Sequence, residues 1–539
     1  MRRSLTGLGV FALLGCLALQ TLWPMRQQSP TCDEFSHHIA SGYSYLLTHN
    51  FRLDPASPPL PRMAAALPLL VLGAKAPLDD ISWKEGNAPE FSRQLFHVQN
   101  GDLDKFIFWA RVPTLLLSIV FGLCVFTVSR KLFGIAAGIV SLVLYCFTPD
   151  IIAHSGLATA DLAVAFFFFL TLYRFSCYLK APSAGNLVWT GFVTGLALLS
   201  KFSAVLLFPI LLISALSARK VAEVRPSRTA LFLAVCFFTV WAGYFFEVKP
   251  LLKDTPDPAK KAAMYRRVGG ERLLAFAENA PVPLSTFSSA IVSLAMHRTR
   301  DGRSFLMGEW YTGGRWYYYL VAFLIKNTLP FVLFCLLSLL LAAKFGIEKV
   351  IRSVFYTAIG LFFLVTLKDK AQAGIRYFLP IYPVFFVLSG GVAAYLWKKG
   401  QRWRLAVGAL LAWHAVSALL VFPHPLAYFN EAVGGPKNGA HYLRDSNIDW
   451  GQDLKGLGEV IAKLGADEVV LYSISPADPA VYGIPYRRPE KDEFAAPRAT
   501  VYAIGAHQMD ALGWTKDLKP DKIIGYSMFV YDLRKEKRL

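Results

Sequence analysis

The chain predicts a polytopic α-helical membrane protein of about eleven transmembrane helices, with a small C-terminal extracytoplasmic α/β domain. Of its 539 residues, 55% are hydrophobic, and the mean hydropathy is +0.41. Apolar stretches of about 15 to 25 residues recur along it, the length a hydrocarbon core demands. Its basic residues fall in short loops between those stretches, on one side of the membrane. A net charge of +19 suits nucleic acid only if it gathers into one patch. Here it alternates with apolar spans, which excludes that partner and fits a positive-inside pattern.

The spans fall near 5–23, 106–127, 134–149, 157–176, 186–200, 203–218, 229–246, 316–343, 352–367, 377–397 and 404–422. The first follows Met1-Arg2-Arg3, which puts the N-terminus in the cytoplasm, and no small-x-small cleavage site follows it. It is read as a retained anchor. Arg130-Lys131, Arg174 with Lys180, Arg219 with Arg225 and Arg228, Lys344 with Lys349, and Lys398-Lys399 then occupy cytoplasmic loops. The opposite side receives two long loops, 24–105 and 247–315. An odd number of spans also puts the tail there, so that 1–422 forms the membrane domain and 423–539 the C-terminal domain. The protein is thus expected as a multi-pass protein of the inner (plasma) membrane, its C-terminal domain periplasmic or extracellular.

In the outer loop, Met63–Leu70 is apolar but short and rich in proline nearby, and is expected as an interfacial or re-entrant helix. In the tail, 469–472, 500–503 and 523–526 read as short buried strands, and Leu454–Leu464 as an amphipathic helix. Six of the seven cysteines lie in apolar spans and Cys32 just outside one; no disulfide framework or CxxC metal site is visible.

The chemistry-bearing residues gather on the outer side. Asp33-Glu34 follows the first span at the level of the lipid headgroups, where a carboxylate can act as general base or bind a substrate hydroxyl; a solvated loop is the plainer alternative. His37 lies one helical turn from Asp33, but two such ligands are too few for a metal site. Neither a metal nor any other cofactor is expected. Asp161 stands at the outer start of the fourth span, as a second acidic site candidate or a helix cap. Arg62, Lys201, Lys326 and Arg376 are cations at or near headgroup depth, suited to a lipid phosphate or pyrophosphate, or simply snorkelling. In the tail, Asp445-Ser446-Asn447-Ile448-Asp449-Trp450-Gly451-Gln452-Asp453-Leu454 could be a turn and helix cap. It equally suits a carbohydrate-contacting loop using Asn447, Asp449 and Trp450.

In Asp33-Glu34, Ser57-Pro58-Pro59-Leu60-Pro61-Arg62, Thr159-Ala160-Asp161, Leu199-Ser200-Lys201, Arg376-Tyr377-Phe378-Leu379-Pro380 and the Asp445–Leu454 segment, the chain resembles the GT-C class of membrane glycosyltransferases. The likeness is to bacterial relatives of protein O-mannosyltransferases and of the lipid A aminoarabinose transferase. It implies inverting transfer of a hexosyl or pentosyl group from a polyprenyl-phosphate donor to a protein, lipid or glycan acceptor outside the cytoplasm. It also implies Asp33 as the catalytic base or an acceptor-orienting carboxylate, and Asp161 as a second acid lining the cavity. The family often carries His-Pro-Pro-Leu and a Lys in the first-loop turn, where this chain has Ser57 and Arg62. Rival readings are a transporter or flippase of a lipid-linked substrate, a ligase of a whole glycan unit, and a non-catalytic polyprenyl-lipid-binding subunit. A transporter predicts inverted halves, and no internal repeat is visible.

Overall fold

The N-terminal helix, Arg2–Gln27, is apolar from Leu5 onward and long enough to cross a bilayer. The computed structural model to which it belongs describes residues 2–219, 225–255, 258–297, 303–370 and 372–534. Among these, six helices are long and apolar enough to span: Leu5–Gln27, Leu103–Phe133, Asp161–Lys180, Pro226–Gly243, Lys349–Thr366 and Ile375–Trp397. The pair Ile135–Cys146 and Pro149–Ser155, bent by 66°, forms either a seventh, broken span or a re-entrant loop. The protein is therefore a multi-pass membrane protein.

The difference from the eleven expected spans has local causes. The apolar run 316–343 is two helices, Tyr318–Lys326 and Leu329–Leu340. Pro330 brings no N–H to a continuing helix, and the Thr328 hydroxyl instead accepts the Phe331 N–H at 3.3 Å, starting a new one. Pro149 opens a new helix after Cys146, here with no cap from Thr148, whose hydroxyl donates to the Leu144 carbonyl at 2.6 Å. Leu60–Val71, Ala184–Ser200, Phe202–Ser217 and Leu329–Leu340 are apolar but shorter than a span. Leu60–Val71 matches the short helix expected in the outer loop and packs on Ile39–Thr48.

The core is the helix bundle, densest around Tyr382–Trp397, where fourteen of the sixteen residues are buried. That helix packs against Leu103–Phe133, Ile135–Cys146 and Leu329–Leu340. The two long loops carry their own helices: Ile81–Glu85 and Ala88–Arg93 are short, and Pro258–Asn279 is broken by non-helical backbone at Gly269 and Gly270.

The tail forms a five-stranded sheet in the order Tyr486–Arg487, Val469–Tyr472, Val501–Gly505, Met528–Asp532, Lys522–Ile524. The first three strands are parallel and the last two pair antiparallel. The helix Leu454–Leu464 is present as its 3.6-residue periodicity predicts, burying Leu454, Leu457 and Ile461. The segment expected as one strand over 523–526 ends at Ile524. Gly525 and Tyr526 take left-handed φ of 57° and 63°, and the chain reverses into Met528–Asp532. That last strand is buried throughout, so it shows no alternation from which to read it in the sequence.

Candidate active site

The site is assembled where the Asp445–Leu454 loop docks onto the membrane helices. The Ser29 N–H donates to the Gln452 carbonyl at 3.0 Å and the Cys32 N–H to the Trp450 carbonyl at 2.9 Å, which seats the segment just after the first span. The Ile375 N–H donates to Asn447 Oδ1 at 2.9 Å, and Ser446 Oγ donates to the Ala373 carbonyl at 2.5 Å. Gly374 makes this last approach possible. Its φ is 149°, and a Cβ there would stand 2.3 Å from Ser446 Oγ. One loop thus positions both residue 33 and residue 376.

Arg376 is the centre of the cluster. Its Nη1 lies 2.8 Å from Asp33 Oδ2 and 3.9 Å from Asp161 Oδ2. Its guanidinium carbon stands 4.2 Å from the centroid of the Trp450 ring. Lys201 completes the group: its Nζ lies 2.7 Å from Asp161 Oδ1 and over the Tyr377 ring at 4.4 Å. Asp161, with 3% of its side chain exposed, forms the floor, while Asp33 at 28% and Lys201 at 25% face outward. Burial raises the Asp33 carboxyl, but the Arg376 guanidinium more than offsets this and holds it below the usual carboxylate range. His38 lies between this cluster and Arg62. Burial and then the Arg62 charge push its imidazole down to about 3, so it is neutral, and its Nδ1 has no hydrogen-bond partner among the described residues.

Other expected site residues lie apart from the cluster. Glu34 is fully buried, and its carboxylate accepts five hydrogen bonds: two from Arg111 at 2.8 Å each, two from Thr31 at 2.9 Å each and one from Ala158 N–H at 2.8 Å. That exhausts its accepting capacity and leaves nothing for chemistry. Arg62 is neutralised by Asp54, 2.5 Å away, and also donates to the Asp54 carbonyl at 3.0 Å. His37, 4.0 Å from Asp54, sits at the rim of that pair. Lys326 is fully buried, donates to the carbonyls of Leu426 at 2.8 Å and Asn447 at 2.7 Å, and lies 4.0 Å from Asp150. It staples the tail to the bundle.

The side chains of the tail motif are engaged within the protein. Asn447 spends its amide on Ile375, Tyr318 and Arg444; Trp450 is buried under Arg376. Asp449 accepts the N–H groups of Gly451 at 3.1 Å and His507 at 3.2 Å, and burial raises its carboxyl to about 6. Sequence reasoning missed two residues. Arg111, the partner of Glu34, was signalled by being an arginine inside an apolar span. Asp445 was quoted within the motif but not singled out. Its φ is +59°, and its carboxylate interacts electrostatically with Arg376, His507 and Asp33. Among the described residues no group of three or more His, Cys, Asp or Glu could hold a metal ion.

The family model described as dolichyl-phosphate-mannose-protein mannosyltransferase matches residues 103–243. No curated protein sequence matches the chain. Among solved structures, ArnT from Cupriavidus metallidurans bound to undecaprenyl phosphate aligns over 98% of this chain and 98% of its own, at 13% identity and a TM-score of 0.52. The archaeal oligosaccharyltransferase AglB from Archaeoglobus fulgidus, in complex with an inhibitory peptide and a dolichol-phosphate, aligns over 94% of this chain and 71% of its own, at 12% identity and a TM-score of 0.45. The chain thus has a fold similar to that of ArnT, and its residues 103–243 resemble the mannosyltransferase family.

Proposed function

We propose that the protein is an inverting glycosyltransferase that moves a sugar from a polyprenyl-phosphate donor to an acceptor on the outer face of the membrane. The observation that carries this reading is Arg376, held between Asp33 and Asp161 with Lys201 beside it. The structure of ArnT to which the fold is similar holds undecaprenyl phosphate, a ligand of the class this cluster suits.

The chemistry follows from charge. The acceptor oxygen or nitrogen attacks the anomeric carbon as the bond from that carbon to the phosphate oxygen breaks. The electron pair leaves with polyprenyl phosphate as a dianion, stabilised by Arg376 and Lys201. Asp33 takes the acceptor proton. In the free protein Asp33 is bound to Arg376. An arriving phosphate competes for that guanidinium, which frees Asp33 and makes it more basic as the acceptor binds.

The deciding experiment incubates the purified protein in detergent with a panel of polyprenyl-phosphate sugars and acceptor-containing membranes. Sugar-dependent release of polyprenyl phosphate is expected. Lipid movement across vesicles without such release would favour the transporter reading.

Arg376→Gln is expected to weaken donor use by about 1.5 to 3 kcal/mol, the scale of a charged hydrogen bond, with less change in the acceptor KM. It also tests the pairing with Asp33. A base with a lowered pKa is active above that pKa and is lost as pH falls through it. Removing Arg376 leaves burial unopposed, so the acid limb of kcat/KM should move to higher pH. An unmoved limb would remove Asp33 from the base role.

Orientation follows the same reading. Single cysteines at Glu85 and Lys491 should react with an impermeant thiol reagent from outside, and one at Lys398 should not. Labelling at Lys398 alone would invert the topology and put the cluster on the cytoplasmic face.

A further inference from the structure

An open recess lies where the helix Gln401–Leu419 gives way to the C-terminal domain. It holds about 270 Å³ and is lined by His424, Lys437, Ile523, Gly525 and Tyr526. That is near the ~300 Å³ at which small-ligand pockets begin. The lining shares no residue with the Arg376 cluster. Gly525 and Tyr526 are the left-handed pair at which the chain reverses between its last two strands. A Cβ at Gly525 would stand 2.2 Å from the Asp453 carboxylate, so glycine lets the turn lie this close. Tyr526 keeps its left-handed φ despite its bulk, a conformation that persists only where the surroundings impose it and that collects at functional sites.

The polar wall of the recess is ordered from behind. Ser527 Oγ and Gln452 Nε2 donate to Asp453 Oδ2 at 2.6 and 2.9 Å. Asp453 Oδ1 then lies 3.8 Å from His424 Nδ1, on the sealed side of the imidazole, while 30% of the His424 side chain is exposed. With Nδ1–H directed at Asp453, Nε2 is the nitrogen left to carry a proton toward an anion in the recess. The Tyr526 ring stands edge-on to the imidazole, with centroids 6.0 Å apart. Lys437, exposed, is the one lysine or arginine of the lining.

The chain that leads into the recess is apolar and bare. Leu419, Leu420 and Phe422, just before His424, are exposed, Leu420 to 76%. Further back on the same helix Trp413 is also exposed, and its Nε1–H donates to Glu431 Oε1 at 3.3 Å. Exposed leucines beside an indole with a bonded polar tip mark the depth at which hydrocarbon gives way to headgroups. We propose that the recess binds the phosphate of an anionic phospholipid, whose acyl chains cover Leu419, Leu420 and Phe422. One lysine, with Asp453 standing behind His424, suits a phosphodiester of single negative charge better than the dianion proposed for Arg376 and Lys201. The bound lipid ties the Gly525-Tyr526 turn of the C-terminal domain to the membrane surface. The inference does not rest on the glycosyltransferase reading.

The test adds dioleoylphosphatidylglycerol to delipidated full-length protein in detergent and counts bound lipid by native mass spectrometry. Dioleoylphosphatidylcholine and inorganic phosphate serve as comparisons. Wild type should bind phosphatidylglycerol in preference to phosphatidylcholine, and inorganic phosphate at the same concentration should not displace it. His424→Gln and Lys437→Gln together should weaken that binding about tenfold, the worth of a charged hydrogen bond. Lys437→Gln alone, at an exposed position whose loss spares the fold, should weaken it about threefold. Lys491→Gln, which removes the same charge elsewhere in the domain, and Arg376→Gln should both bind as wild type does. No preference for phosphatidylglycerol, its displacement by inorganic phosphate, unchanged binding in the Lys437 variants, or an equal loss in Lys491→Gln would overturn the proposal. Loss in Arg376→Gln would overturn it too, by assigning the lipid to the proposed donor site.

Discussion

Asp33→Asn is expected to lower turnover by about 10² to 10⁴, the range for loss of a positioned general base, while the protein still inserts and purifies as wild type. The asparagine nearly preserves the shape of the side chain and its place after the first span but cannot take a proton. Arg376 keeps Asp161 as a partner 3.9 Å away, so the cluster is not left with an unpaired guanidinium. Donor binding should therefore persist, and the loss should appear in kcat. Wild-type turnover in Asp33→Asn would end its role as base, and Asp445, which shares the field of Arg376, would be the next carboxylate to replace.

The second large effect is on stability. Arg111→Met should destabilise the protein by about 3 to 5 kcal/mol, because it strands the Glu34 carboxylate in a site with no exposed surface on either partner. The double variant Glu34→Gln/Arg111→Met should recover much of that loss, since neither residue then carries an unpaired charge. Thermal unfolding of the purified protein by intrinsic fluorescence, together with the monodisperse yield on gel filtration, reads both. Equal melting of the single and double variants would show that the pair is not the clamp its geometry implies.

The sequence made some of this site legible and concealed the rest for identifiable reasons. Asp33, Asp161, Lys201 and Arg376 each stood out as ionisable residues at the outer ends of apolar stretches, where charge is costly without purpose. The structure brings those four within one network of contacts. Arg62 and Lys326 carried the same signal but meet other partners. Asp54 lies in a proline-rich turn, and the Lys326 partners are backbone carbonyls about a hundred residues away, which leave no mark in side-chain spacing. Glu34 looked equivalent to its neighbour Asp33. On a helical turn, however, adjacent residues point in different directions, one to the cluster and one to Arg111.

The long helices do not match the eleven expected spans one for one, for a related reason. Hydropathy averaged over a span passes over short polar breaks, and the backbone is interrupted at two of them, Lys326-Asn327-Thr328 before Pro330 and Thr148-Pro149-Asp150. In the tail, amphipathic periodicity defined Leu454–Leu464 well, while the fully buried Met528–Asp532 has no polar face to alternate with.

The lacing of residues 445–452 to Ser29, Cys32, Ala373 and Ile375 has a consequence for biosynthesis. The ribosome finishes all six long apolar helices before it reaches Asp445. Until that loop emerges, the segments bearing Asp33 and Arg376 have no common anchor, and Trp450 is not yet there to carry the guanidinium. A nascent chain can therefore be fully inserted and still lack its charge cluster. A chain clipped before Asp445 is therefore expected to keep its long helices and to lack the bonds that seat residues 29–32 and 373–375, together with the ring on which Arg376 rests.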